Sequence, residues 1–138
     1  RPPVRVDSRI RFERLSGTRI AATVAALDAV ECPEGSIALR FAPDELYSTP
    51  PLNDPAVVLT QDEYAIVVAE GAFSGVWVEE EMALKLLERH CEWEIPAARP
   101  ALAQGAVAGV ATKLWFTAGR VLFIVPTPYA SEMEARLS

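Results

Sequence analysis

His90 is the only histidine of the chain and is followed directly by Cys91, so this pair is the first place to look for catalytic chemistry. A Ser/His/Asp or Cys/His/Asn relay would have to use this imidazole as its base. Consecutive residues on a helix point about 100° apart, which makes the two side chains a poor nucleophile and base. A histidine in the last helical turn instead interacts favourably with the carbonyl end of the helix dipole. We therefore assign no catalytic residue to the pair.

The cysteines also fail to indicate a metal site or a disulfide framework. Cys32 and Cys91 lie far apart in the sequence and belong to no CxxC pair. One histidine and two scattered cysteines cannot supply the usual four ligands of a structural zinc ion. The sequence therefore predicts two free thiols and no metal site.

Acidic runs and spaced glycines are the remaining candidates for chemistry. Residues 79–81 are all glutamates, which is typical of the solvated first turn of a helix. Gly71 and Gly75, like Gly105 and Gly109, match neither a GxGxxG motif nor a P-loop, and neither pair has the lysine that a P-loop requires. We predict no cofactor site in this chain.

Three tryptophans are the candidate interface residues. Tryptophan is enriched at contact hot spots between proteins, because one large ring buries much apolar area. We expect these rings to line an interface or a ligand groove, with at least one of them in the core. The three residues are Trp77, Trp93 and Trp115.

Hydrophobic periodicity predicts the elements that position these residues. The predicted strands span residues 9–15, 36–41, 45–48, 56–60, 64–69, 76–78, 105–116 and 121–125, and the segments 56–60 and 64–69 are expected to form a hairpin. The predicted helices span residues 18–29, 79–90 and 129–137, and the prolines of residues 50–55 form the clearest break.

This order predicts the α+β class, with a mainly antiparallel sheet covered on one face by helices. Ferredoxin-like halves are the architecture that fits best. We expect residues 1–138 to form a single domain with an internal duplication, whose halves are about 1–55 and 56–138.

Composition and charge limit the classes of function. With 51% hydrophobic and 23% charged residues, the chain is typical of a folded globular domain. A formal charge of −6 argues against nucleic-acid binding, which needs a basic stripe. The first twenty residues carry a small basic group, which we interpret as a solvated end of the fold, although it could dock on an acidic partner: Arg1, Arg5, Arg9, Arg11, Arg14 and Arg19.

The sequence indicates neither a membrane helix nor a secretory signal. Its longest apolar segment, residues 101–116, is interrupted by polar residues and falls short of the roughly 20 residues that a bilayer span needs. The basic first residues are not followed by an apolar segment. We expect a cytoplasmic protein.

Three short segments together resemble a known family. They are Ala-Pro-Asp-Glu-Leu at 42–46, the strand and helix of 76–91 followed by Gly-Ala-Val-Ala at 105–108, and Val-Pro-Thr-Pro-Tyr-Ala at 125–130. In this order they resemble the gamma subunit family of heterotetrameric sarcosine oxidase, which is related to the aminomethyltransferase folate-binding fold. The resemblance covers residues 36–137. After residue 45 the family has a helix, where this chain has its proline-rich segment.

The resemblance implies a small non-catalytic subunit that packs against a large flavoprotein subunit. It also implies that the FAD, FMN, NAD, zinc and folate sites of the complex lie in other chains. No catalytic residue can be carried over to this sequence, because the gamma chain of the family supplies none.

The first hypothesis for the function is therefore a subunit that supports assembly of such a complex. Two alternative functions remain open. One is a stand-alone, homo-oligomeric module that binds a folate or pterin in an aromatic groove. The other is an enzyme that uses Cys91.

Overall fold

The computed structural model describes residues 10–54 and 56–138. Its contacts divide the chain into two compact units. The central unit consists of Leu15–Phe73, and the terminal unit consists of Arg1–Arg14 together with Ser74–Ser138. These boundaries differ from the predicted boundary near residue 55, and the internal duplication itself stays a prediction.

The central unit is a four-stranded antiparallel sheet with two short helices. Its elements are β2 (Gly17–Ala21), α1 (Val24–Asp28), β3 (Ile37–Ala42), β4 (Glu45–Thr49), α2 (Ala56–Gln61) and β5 (Ile66–Glu70). The strand order β3-β4-β2-β5 with this βαββαβ sequence is the ferredoxin-like arrangement. The core that joins sheet and helices contains Ile20, Leu27, Leu46 and Val58.

The terminal unit is a five-stranded sheet with two helices. Its elements are β1 (Glu13–Arg14), β6 (Phe73–Glu79), α3 (Glu80–His90), β7 (Ala101–Val107), β8 (Val110–Phe116), β9 (Arg120–Pro126), a 3-10 turn (Thr127–Tyr129) and α4 (Ala130–Leu137). The strand order is β1-β6-β9-β8-β7. If β7 is left out, the strands β1-β6-β9-β8 have the ferredoxin-like order. The position of the motif's fourth strand is taken by β1, which comes from the start of the chain.

One apolar cluster joins the helices of the terminal unit to its sheet. Ala83, Leu86 and Leu87 of α3 and Met133 and Leu137 of α4 are buried in it. From the strands it contains Val78, Val107, Val110, Leu114, Phe116, Val121, Phe123 and Val125. The α+β class and the mainly antiparallel sheets covered by helices are therefore confirmed.

The predicted helices 79–90 and 129–137 are confirmed as α3 and α4. Each of them has one apolar face, which is the feature that the sequence pattern showed. In α3, Glu80 and Glu81 lie in the first turn while Arg89 and His90 lie in the last, which suits the helix dipole at both ends. The predicted strands 36–41 and 45–48 and the hairpin of β8 and β9 are confirmed as well.

The predicted helix 18–29 is wrong over its first half. Residues 17–21 form the strand β2, which pairs with β4 on one side and β5 on the other. A side chain on Gly17 would lie 2.6 Å from the Ser48 carbonyl oxygen, so only glycine permits this close approach of strands. The helix α1 starts after Thr23, whose hydroxyl accepts a hydrogen bond from the Ala26 N–H at 3.2 Å.

The predicted hairpin of residues 56–60 and 64–69 is also wrong. Residues 56–61 form the helix α2, whose first N–H, that of Ala56, donates to Asp54 Oδ1 at 3.0 Å. The buried Val58 places this helix on the core of the central unit, and burial outweighs the strand preference of its β-branched residues. The strand β5 therefore pairs with β2 instead.

The sequence pattern missed one turn, because residues 105–116 alternate without interruption. The chain reverses at Ala108 and Gly109, whose φ angles are +51° and +81°, so that β7 pairs with β8. Two successive positive φ angles are typical of a type I′ hairpin. At the other end, β1 spans only two residues of the predicted strand 9–15, and Arg9 lies outside the described residues.

Candidate functional site

Trp93 is held by three contacts in the loop that follows α3. Its indole Nε1–H donates to the Ala106 carbonyl at 2.8 Å. Its ring lies against Gly105, where a Cβ atom would come within 2.6 Å of the indole. The ring also packs against the core of the terminal unit. Trp93 is therefore a fixed, half-buried aromatic side chain at the surface.

Two open grooves flank this ring. The first has a volume of about 410 Å³ and is lined by Arg89, His90, Glu92, Trp93, Ala106, Ala108 and Gly109. The second has a volume of about 360 Å³ and is lined by Leu84, Leu87, Glu88, Cys91, Trp93, Glu94 and Ile95. Both volumes lie within the range of small-ligand sites, and Trp93 is the one aromatic residue in each lining.

His90 and Cys91 line different grooves. The Cys91 thiol donates to the Trp93 carbonyl at 3.3 Å, and the His90 carbonyl accepts from the Ala108 N–H at 2.8 Å. The structure therefore does not bring the imidazole and the thiol together as base and nucleophile.

The other two tryptophans lie on the opposite face of the five-stranded sheet. Along β6 and β8 the residues that face the helices are Val78, Leu114 and Phe116, so the alternate residues Trp77 and Trp115 point away from them. Trp77 stacks under Arg120, whose guanidinium carbon lies 3.8 Å from the ring centroid. The structure thus places two of the three candidate interface residues on one face and Trp93 elsewhere.

The basic group of the first twenty residues does not form a single described cluster. Arg1, Arg5 and Arg9 lie outside the described residues. In the central unit, Arg19 forms ion pairs with Glu45 and, at 3.1 Å, with Glu70. Burial lowers the pKa of Arg19, but the hydrogen bonds and charges of these two carboxylates outweigh burial and raise it.

Within residues 10–54 and 56–138, no three His, Cys, Asp or Glu side chains are grouped to hold a metal ion. Over the same residues, no helix combines the length and apolar character needed to cross a membrane.

Sequence reasoning missed an exposed apolar strand. β5 is an edge strand of the central sheet, and Ile66, Val68 and the preceding Tyr64 are exposed. The apolar run Ile-Val-Val-Ala is typical of a strand covered on both faces. In addition, the predicted hairpin paired this strand with residues 56–60, whereas its neighbour in the structure is β2. The run itself was visible in the sequence, but its position at the edge was not.

Comparisons with known proteins give a match in structure alone. No family model matches the sequence, and neither does any curated protein. The fold is similar to that of a chain in "Heterotetrameric Sarcosine Oxidase from Corynebacterium sp. U-96 in complex with pyrrole 2-carboxylate", with a TM-score of 0.72 and 15% sequence identity. The match covers 93% of this chain and 80% of that chain. At this identity the similarity shows the fold.

Proposed function

We propose that this chain is a non-catalytic, gamma-like small subunit of a heteromeric, sarcosine-oxidase-like flavoenzyme complex. The complex would oxidatively demethylate an N-methyl amino acid. The observation that carries the proposal is the match to a chain of a heterotetrameric sarcosine oxidase over 93% of this chain. The matched chain is itself short, because the match also covers 80% of it.

The role proposed for this chain is to support assembly of the large subunit. The proposal assigns FAD, FMN and NAD to partner subunits, and no catalytic or cofactor-binding residue to this chain. A cytoplasmic location belongs to the same proposal.

Among the candidate interface residues, Trp93 is the one that lies beside two grooves and is held in place by a hydrogen bond. A fixed tryptophan between two open grooves resembles the anchors that dominate protein interfaces. The grooves also expose Leu84, the carboxylates of Glu88, Glu92 and Glu94, and the guanidinium of Arg89, so a partner would meet an apolar centre with a charged rim.

The test is an affinity purification of the tagged chain from its native cell. The bound chains are identified by mass spectrometry, and the absorbance spectrum of the eluate is recorded for flavin. A stoichiometric yellow complex with large oxidase-type subunits is the expected result. A colourless protein recovered without stoichiometric partners would contradict the proposal.

That contrary result would turn attention to the stand-alone folate or pterin module. A thermal-shift panel with folates tests this module directly, because a ligand that binds the native state raises the melting temperature. We expect no folate to raise it.

A further inference from the structure

β5 is an edge strand of the central sheet and carries exposed apolar side chains. Tyr64 is 84% exposed and Val68 is 47% exposed, and Ile66 between them is exposed as well. β5 pairs with β2 on one side in an unbroken register from Ile66 to Glu70, and no described strand pairs with its other side. Its outer backbone N–H and C=O groups are therefore available to another strand.

Edge strands of natural proteins normally carry devices that prevent pairing with other chains. These devices include short strands, charged side chains, prolines, bulges and a covering helix or loop. The five residues of β5, Ile-Val-Val-Ala-Glu, include no lysine and no proline, and their register shows no bulge. Their one charged side chain, Glu70, is at the end of the strand and is paired with Arg19 of β2. An apolar edge without such protection is suited to an added strand.

The charge of the central unit indicates what kind of strand would bind. This unit contains nine acidic side chains and two arginines, a formal net charge of −7, whereas the whole chain has −6. Its two arginines, Arg19 and Arg40, are both held in ion pairs, with Glu45, Glu70 and Asp28. Within the described part, the other acids of the unit have no basic side chain within ion-pair distance: Glu31, Glu34, Asp44, Asp54, Asp62 and Glu63.

We propose that the free edge of β5 binds an extended, lysine- or arginine-rich segment of a protein partner as a fifth strand of the central sheet. Backbone hydrogen bonds would provide pairing, Ile66 and Val68 would provide apolar contacts, and the acidic unit would favour the basic segment. A second copy of this chain fits less well, because two units of charge −7 would repel each other. The inference rests on the proposed function only for the identity of the partner as a subunit.

The test uses a synthetic peptide in which the dipeptide Val-Lys is repeated four times. The control is the peptide in which Val-Glu is repeated four times. Hydrogen exchange of the full chain is followed with and without about 1 mM peptide, where even weak binding is detectable. We expect the lysine peptide to slow exchange of the outward-facing amides among residues 66–70 at least about ten-fold at low salt, and the glutamate peptide to leave it unchanged.

Two lysine variants with matched exposure locate the binding site. Val68→Lys places a charge on the edge strand, while Leu59→Lys makes the same change on α2, where Leu59 is 45% exposed. Both changes add one positive charge to the unit, so any difference reports on the position. We expect Val68→Lys to weaken peptide binding at least about ten-fold, which corresponds to about 1.4 kcal/mol, and Leu59→Lys to weaken it far less.

Unchanged exchange of residues 66–70 with the lysine peptide, or equal weakening by the two variants, would overturn the inference. So would a dimer of the chain alone in which these residues are protected. A complex with large subunits in which β5 stays unprotected would overturn the inference and leave the proposed function standing. If the peptide protects these residues but the chain has no subunit partner, the inference stands and the proposed function is overturned.

Discussion

The indole of Trp93 lies directly over Gly105, and the ring takes the space that a side chain at residue 105 would occupy. The same indole donates its N–H to the carbonyl of Ala106, the next residue along β7. The loop after α3 is therefore fastened to the edge strand of the five-stranded sheet by one ring.

Gly105→Ala should displace this ring. The new methyl group would lie 2.6 Å from the indole, so we expect a loss of about 1–3 kcal/mol of unfolding free energy and a shift of tryptophan fluorescence. Chemical denaturation measures the loss. The control is the same substitution in a Trp93→Ala background, where the clash is absent and the added cost should be small. An equal cost in both backgrounds would show that the ring is not the obstacle.

Leu84→Lys should weaken a complex that forms through the Trp93 grooves. Leu84 is partly exposed in one groove, and a lysine there would place a charge in the apolar centre of the interface. The measurement is the amount of large subunit recovered with the tagged variant. Tyr129→Lys, an exposed position that lines neither groove, is the control and should leave recovery unchanged. If the two variants recover equal amounts, the interface lies elsewhere.

Leu86→Ala should cost about 2–5 kcal/mol, because it leaves a cavity under α3. Leu86 is 6% exposed in the core of the terminal unit, while Leu84, two residues earlier on the same helix, is 38% exposed. Leu84→Ala is therefore the matched control, with an expected cost below about 1 kcal/mol. Equal costs in denaturant titrations would mean that the buried face of α3 is assigned wrongly.

Tyr47→Phe should alter the response to alkaline pH. Burial raises the pKa of the Tyr47 phenol and the charge of Glu70 raises it further, while the nearby Thr49 offsets part of the rise. Thr49 directs its own hydroxyl to the Ser16 carbonyl, and the buried phenol oxygen has no hydrogen-bond partner among the described residues.

The sign of the effect follows from the raised pKa. The folded chain holds the phenol proton more tightly than the unfolded chain, so this contribution to stability is complete below about pH 10 and is lost as pH rises through the folded pKa. We expect the wild type to lose stability relative to Tyr47→Phe above about pH 10, by at most about 1.4 kcal/mol per pH unit. At pH 7 the variant should be neutral or slightly stabilised, because a buried, unpaired hydroxyl is removed. Tyr64→Phe, at an exposed ring, is the control, and a similar alkaline difference for it would refute the assignment.

The sequence by itself determined the elements whose evidence is local. The helix α3 has glutamates in its first turn and apolar residues at helical spacing, and α4 repeats that spacing at Met133 and Leu137. The strands β3, β4 and β9 lie between recognisable turns. In each case the residues that decide the structure are within a few positions of one another, so the pattern could be read directly.

Only the tertiary structure decided the elements whose evidence is distant in sequence. Residues 18–21 begin the segment in which Ile20, Val24 and Leu27 recur at helical spacing, yet they lie in a strand because β4 and β5 pair with them on both sides. Residues 56–61 have strand propensity, yet they form a helix that buries Val58. The positions of the tryptophans on different faces and the exposed edge of β5 likewise depend on strand order. Strand order is set by pairing between residues far apart in the chain, which periodicity along the sequence does not record.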